Sequence, residues 1–317
     1  MKILVAPMNW GLGHASRCVP LVQRLLDEGN EVILGGDGES LTLLRKHFSK
    51  LRYTYLAPLN LHYSAGRRQV WAMIKALPRL AMWTIKDHLM LKALLREEPI
   101  DRVISDNRFG LYNRQVESIY ITHQLHIMLP KGWKWAEKID SRLHARVYTR
   151  YNKVWIPDYE DPQMSLAGEL SHPIFHIPHS TIEYIGPLSR FQNIPNNPIN
   201  QNYSIVAVLS GLEPQRTLLE KELIARYQDG EEQVLIVQGL MHRPNTRIKR
   251  GNFTIVPTMG DAELVSALKR AHRIIARSGY STIMDLDALG LMDKAELIPT
   301  PGQPEQEYLA TLHSKNN

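Results

Sequence analysis

Short β-branched runs alternate with helical stretches from one end of the chain to the other, and this rhythm restricts it to folds made of βαβ units around a parallel sheet. Residues 2–6 read as a strand. Residues 15–27 follow as a helix, with Val19, Val22, Leu25 and Leu26 at helical spacing and Gly29-Asn30 placed to end it. Further strands are expected at 31–34, 51–56, 102–105, 118–122, 153–156 and 174–177. The stretch 67–96 reads as helical, and Pro78 must kink or split it because proline lacks the N–H that a helix interior needs.

Between 185 and 203 the composition turns to Gly, Pro, Asn and Gln, the mark of a linker. The βα rhythm then restarts, with strands expected at 205–209, 234–237, 254–256, 273–276 and 296–298 and a helix from about Glu213. The division is a first lobe over 1–187, a linker over 188–202 and a second lobe over 203–317. The fold class expected is α/β: two doubly wound, Rossmann-like lobes with a cleft between them and ligands at the carboxyl ends of the strands. A chain of 317 residues has material for two cores of this size. No apolar run nears the ~20 residues of a membrane-spanning helix, and no signal peptide is evident. The single cysteine, Cys18, leaves no internal disulfide and no Cys-based zinc site. A cytoplasmic setting is the expectation.

The net charge of +6 is concentrated. Seven bases (Arg67, Arg68, Lys75, Arg79, Lys86, Lys92, Arg96) face one acid, Asp87, and Trp71, Met73, Met82, Trp83 and Leu89 are interleaved with them. A second basic stretch runs from Lys131-Gly132-Trp133-Lys134-Trp135 into Lys138, Arg142, Arg146 and Arg150. Basic amphipathic helices with boundary tryptophans suit an anionic membrane surface. An ordinary solvated face stays open beside that reading. No nucleic-acid partner is expected.

The loop Trp10-Gly11-Leu12-Gly13-His14-Ala15-Ser16-Arg17 joins the first strand to the first helix. Glycines let the backbone approach a ligand, and the helix start offers N–H groups to an anion. Gly11 and Gly13 match two positions of the dinucleotide fingerprint, Ser16 replaces the third glycine, and Asp37 stands where a ribose-binding acid would. A nicotinamide dehydrogenase is therefore one reading. His14 favours another: at a helix start the dipole opposes protonation, so the imidazole can accept a proton from an attacking hydroxyl. Asp106, at the end of a strand, is an alternative base or the N-cap of a following helix. Asn107 and His123 are candidates to line an acceptor, and His123 and His126 lack an evident third metal ligand. His172, His176 and His179 read as ordinary.

In the second half, Ser210-Gly211-Leu212-Glu213-Pro214 repeats the order strand, small-residue turn, helix start. Arg277-Ser278-Gly279-Tyr280-Ser281-Thr282 does so with more hydroxyls, a set that can hold a diphosphate through N–H groups, hydroxyls and helix dipole without a metal. Asp285, one turn on, can accept two ribose hydroxyls. Residues 299–307 read as a rigid loop whose Gln303, Glu305 and Gln306 can bond sugar hydroxyls.

Taken together, the loop at 9–17, Arg277 to Asp285 and Gln303 to Glu307 resemble the lipid-linked N-acetylglucosaminyltransferase of peptidoglycan synthesis and its family-28 relatives, which include galactolipid synthases; the resemblance covers both lobes. It implies the two-lobed GT-B fold and inverting, metal-independent transfer from a nucleotide sugar, UDP-linked first, to an acceptor hydroxyl that is lipid-linked in those enzymes. It also implies His14 near that hydroxyl, Ser278-Gly279 near the diphosphate with Thr282 in the same helix start, Asp285 at the ribose and Gln306 near the sugar. No separate cofactor is implied. The chain departs from the family pattern at Asp285, where the family has Glu, at Gln306-Glu307 in place of a Gln pair, and in its thinned first-loop glycines. The resemblance further implies a strand–helix segment and a returning helix after Gln306, where eleven residues remain, so a shortened second lobe is expected. A nucleotide-sugar 2-epimerase or hydrolase and a non-catalytic nucleotide-sugar binder are the other readings.

Overall fold

The computed structural model describes residues 1–59, 69–173, 182–192, 194, 202–211, 213–244 and 246–314, with backbone alone at 69–75 and 131. The chain divides into two compact units, Met1–Trp10 with His14–Leu188, and Ser189–Asn317 with Gly11–Gly13.

The first unit runs β1 (Lys2–Pro7), α1 (Gly13–Asp27), β2 (Glu31–Gly36), α2 (Gly38–His47), β3 (Arg52–Tyr55), α3 (Gln69–Glu97), β4 (Arg102–Asp106), β5 (Glu117–Ile121), α4 (Glu137–Tyr148), β6 (Lys153–Ile156) and β7 (Ile182–Tyr184). A 3-10 turn, Lys131–Ala136, leads into α4. All seven strands are parallel, in the order β3-β2-β1-β4-β5-β6-β7. The order reverses between β1 and β4, and that switch point opens a crevice at the strands' carboxyl ends. Buried on both faces, these strands need continuous apolar runs, which is what 3–6 and 32–34 supply.

The helix α1 ends as its sequence requires: Gly29 takes φ +80°, where a glycine meets no steric penalty. Pro78 does not split α3, which continues to Glu97. Proline removes one helical hydrogen bond, and beyond it the helix packs Trp83 and Leu91 into the unit's core. The fit is close: a β-carbon on Gly110 would lie 2.1 Å from the carbonyl oxygen of Thr84. Of the basic stretch, Arg67 and Arg68 lie outside the described residues, as does the strand expected at 174–177 with His176 and His179.

The second unit comprises β8 (Ile205–Val208), α5 (Gln215–Tyr227), β9 (Val234–Val237), β10 (Ile248–Arg250), β11 (Phe253–Val256), α6 (Asp261–Arg270), β12 (Arg273–Arg277), α7 (Tyr280–Leu289), β13 (Ala295–Ile298) and α8 (Pro304–Ser314). Its sheet has the order β10-β11-β9-β8-β12-β13, parallel except for the β10–β11 pair. Apolar clusters cover both faces, one built on α6 and α7 and one on α5. The switch point here lies between β8 and β12. Residues 299–307 are not all loop: α8 begins at Pro304, so Glu305, Gln306 and Glu307 form a helix's first turn. Both sheets are doubly wound α/β structures, the class expected from the rhythm.

Candidate active site

At the switch point of the first sheet the loop after β1 brings His14 to the end of β4, where Asp106 stands. Gly11 turns that loop at φ +71°, and Gly13 and His14 open α1. The Nδ1 of His14 lies 2.7 Å from Oδ1 of Asp106. Asp106 is fully buried. It also accepts from Arg17, through Nε at 2.5 Å and through Nη2, and the thiol of Cys18 approaches it at 3.6 Å. Burial on its own raises the Asp106 pKa, but the Arg17 guanidinium, then His14, overcome it and hold the carboxyl well below the usual carboxylate range. Asp106 is therefore an anion with no proton to give, and a poor base.

The tautomer of His14 follows. A carboxylate only accepts, so a contact of 2.7 Å requires the proton on Nδ1, and Nε2 then carries the lone pair. The Nη2 of Arg17, 3.0 Å from Nδ1, is a close neighbour and not a donor to it. Nε2 has no hydrogen-bond partner among the described residues. Asp106 caps no helix, contrary to one expectation: after it no helix begins until Lys131, and residues 107–116 are loop.

Arg17, at the end of that loop motif, carries no role that its sequence context announces, although it follows His14 by three residues and so shares its helix face. Its Nη1 donates to Nδ1 of His123 at 3.2 Å, and His123 is buried beside it. His123 thus backs the dyad. Asn107 takes φ +57°, and its Oδ1 accepts from the hydroxyl of Tyr120 at 2.8 Å. Asp37 is unavailable to a ribose: Arg108 pairs with it at 2.8 Å and with Asp87 at 2.8 and 2.9 Å in the interior. The dinucleotide reading loses its acid.

In the second unit Ser210 and Gly211 (φ +94°) follow β8, and Arg277, Ser278 and Gly279 follow or end β12, so both sets flank the switch point. Gly279 caps α7 from an extended conformation, with no side-chain cap and no acid in the first turn. Nothing on the side chains there offsets the positive end of the dipole. Tyr280, Ser281 and Thr282 form that first turn.

Several side chains expected to face a donor are otherwise engaged. The Ser278 hydroxyl donates to the carbonyl of Gln306 at 2.8 Å. Gln306 accepts from the Thr300 amide at 2.9 Å and donates to Gln303 at 2.7 Å, folding the loop onto α8 instead of reaching outward. Arg277, buried, donates to the carbonyls of Pro299 and Gln215 and so ties the loop after β13 to the start of α5. Burial lowers its pKa.

Asp285 is partly buried and accepts from the Ser189 hydroxyl at 2.6 Å. Burial pushes its pKa up to about 6, against the pull of Arg190 and Ser189. For a raised acid the charged form is the penalised one, so stability falls as pH rises from about 4 to about 6 and stays lower above. Asp285→Asn is therefore expected to stabilise the chain by up to about 3 kcal/mol at pH 8 and by almost nothing at pH 4. Thermal melts at the two pH values check it; an equal shift at both refutes the ionisation account. Among the described residues no group of His, Cys, Asp and Glu gathers as a metal site, His123 and His126 included.

No protein-family profile matches the chain. It is 25% identical to an uncharacterized glycosyltransferase of Methanosarcina acetivorans over 98% of its own length and 83% of that protein's. It is 23% identical to an uncharacterized glycosyltransferase of Methanosarcina mazei, with the same coverage. Among solved structures it is similar to the calicheamicin glycosyltransferase CalG4, with TM-score 0.63, 13% identity and coverage of 98% of this chain and 83% of that one. It is also similar to the spinosyn rhamnosyltransferase SpnG, with TM-score 0.61, 12% identity and coverage of 100% and 84%. SpnG has also been solved with thymidine diphosphate, and that structure aligns with TM-score 0.58. Fold and sequence similarity along nearly the whole chain make this protein a glycosyltransferase with the GT-B fold.

Proposed function

We propose that this glycosyltransferase moves a sugar from a nucleotide sugar, UDP-linked first, to an acceptor hydroxyl with inversion at the anomeric carbon. The observation that carries the reading is the buried Asp106–His14 pair, which presents a lone pair on Nε2 at the first sheet's switch point. His14 takes the acceptor's proton through Nε2 as the oxygen attacks the anomeric carbon, and the nucleoside diphosphate leaves with the bonding pair. Asp106 holds the ring and stabilises the imidazolium that forms, the same division of labour as in a hydrolase triad. The diphosphate's charge is met by the uncapped start of α7 without need of a metal. Asp285 accepts from the ribose hydroxyls. SpnG bound to thymidine diphosphate and an Arabidopsis enzyme bound to UDP-L-rhamnose, both of this fold, support a nucleotide-diphosphate donor.

The acceptor is read as lipid-linked, with the protein held peripherally at the inner face of a membrane by its basic amphipathic helices. Among the described residues no helix is long and apolar enough to cross one.

A panel of UDP-, dTDP- and GDP-sugars tests the donor. A preferred nucleotide at a hundred times its Kd raises apparent stability by about 2.7 kcal/mol, visible as a thermal shift. Absence of a shift with every nucleotide would falsify the donor reading. Nucleotide release that needs no acceptor would favour a hydrolase or epimerase.

A further inference from the structure

We infer that Asn107 is a positioning residue of the transfer reaction: its left-handed backbone, held by the Tyr120 hydroxyl from the far face of the sheet, fixes the angle at which Asp106 meets His14. The inference deepens the reading of the His14–Asp106 pair given above and rests on it. Asp106 is the last residue of β4, and the chain turns at the residue after it. Asn107 is the one non-glycine with positive φ among the described residues, at +57°. There a side chain crowds its own backbone, and asparagine is among the few residues that visit the region readily. Such a conformation persists where the surroundings over-determine it, and here they do. The amide of Asn107 donates to the carbonyl of Ile121 at 3.3 Å, so the ladder to β5 runs one residue past the strand. Its Oδ1 accepts from the Tyr120 hydroxyl at 2.8 Å, and Nε2 of His144 lies 3.2 Å from the same hydroxyl. One residue on, the carbonyl of Arg108 accepts from the hydroxyls of Ser105 at 2.6 Å and Tyr151 at 2.7 Å.

Tyr120 is placed to hold this turn. The register sets it beside Ser105 and sets Ile121 beside Asp106, so its side chain lies on the opposite face of the sheet from the Asp106 carboxylate. It is fully buried, stacked on Tyr148 at 6.2 Å and set against Tyr151 at 5.0 Å between ring centroids. A hydroxyl on so fixed a ring leaves the Asn107 amide little room to move. On the other face the tolerance is small. One carboxylate has to meet Nδ1 of His14 at 2.7 Å through Oδ1 while its Oδ2 takes Nε of Arg17 at 2.5 Å. Displacement by about an ångström at such a contact can cost on the order of a hundredfold in rate. With its oxygen on Tyr120, Asn107 acts through its neighbour and not on the acceptor, the role expected for it from the sequence. If a left-handed turn were all the site required, glycine would serve as well, since it meets no penalty there. The hydrogen bond to a buried tyrosine is what glycine could not supply.

Nuclear magnetic resonance of the ligand-free chain, isotope-labelled at histidine, reads the contact directly, because a short hydrogen bond carries its proton far downfield. The Nδ1 proton of His14 is assigned by its loss in His14→Ala. Asn107→Gly keeps the left-handed backbone without strain, and Tyr120→Phe keeps the packing. Each should move that resonance upfield or broaden it away. Turnover, followed as nucleotide release with the donor that the panel above selects, should fall about tenfold or more in kcat, with the KM of each substrate within about twofold of wild type. The double variant should be no slower than either single one. Asn107→Gly should have no further effect in a His14→Ala chain. An unchanged resonance and kcat in both single variants overturn the inference, as do additive losses in the double variant. A raised acceptor KM that persists in the His14→Ala background overturns it too, by putting Asn107 on the acceptor itself. Transfer that survives His14→Ala unimpaired counts against the dyad, whatever the Asn107 variants do, so the two readings fail separately.

Discussion

His14→Ala should lower the rate of sugar transfer by about a hundredfold to ten-thousandfold, the usual contribution of a positioned base. Binding of the nucleotide should be untouched. Two features of the site fix this expectation. Asp106 is ionised and fully buried, so the short contact with His14 leaves one tautomer available and puts the lone pair on Nε2. The Arg17–Asp106 pair does not depend on the imidazole, so its removal leaves no buried charge alone. Loss of activity then reports chemistry and not collapse. Asp106→Asn should lower the rate as well, because an amide can meet Nδ1 through its own N–H and stabilise the other tautomer. Transfer and UDP release measured with the preferred donor decide the matter. A His14→Ala enzyme within about tenfold of wild type would exclude the imidazole as base.

How much of this was written in the sequence differs from element to element. The parallel strands were readable because they are buried on both faces and announce themselves as apolar runs; 153–156 and 234–237 have the boundaries expected. Helix α8 carried a signal that was passed over: Pro304 at the first helical position followed by Glu305 and Glu307 in the first turn. Reading 299–307 as a loop put Gln306 in reach of a sugar, whereas its helix directs the amide to Thr300 and Gln303. Pro78 was expected to kink or split its helix; α3 runs through it unsplit, and its second half is held by packing that a local reading does not contain. His14 and Asp106 were each visible as chemistry-bearing residues, but nothing local joins residues 92 apart. Only the β1–β4 pairing, which sets Pro7 beside Asp106, brings them together. Arg17 shows the same limit: within a helix it reads as one more base, and its role appears only with the carboxylate it faces.

That carboxylate makes Arg17→Met the change with the largest expected cost in stability, about 3–5 kcal/mol, because it strands a buried charge. The sign of its pH dependence is set by Asp106. A carboxyl whose folded pKa lies below its unfolded value stabilises the fold above pH ~4 and loses that contribution as the pH falls toward the folded value. Without the guanidinium, burial dominates and raises the Asp106 pKa, so the variant should be most destabilised near neutrality and approach wild type on acidification. Arg17→Met with Asp106→Asn removes both charges and should recover much of the stability, since a neutral pair costs far less to bury than a lone ion. It should not recover transfer, because His14 would still lack the anion that orients it. Denaturant unfolding of the two single variants and the pair, each at pH 7 and pH 4, separates these outcomes. If the double variant is no more stable than Arg17→Met, the guanidinium matters for its packing and not for the charge it answers.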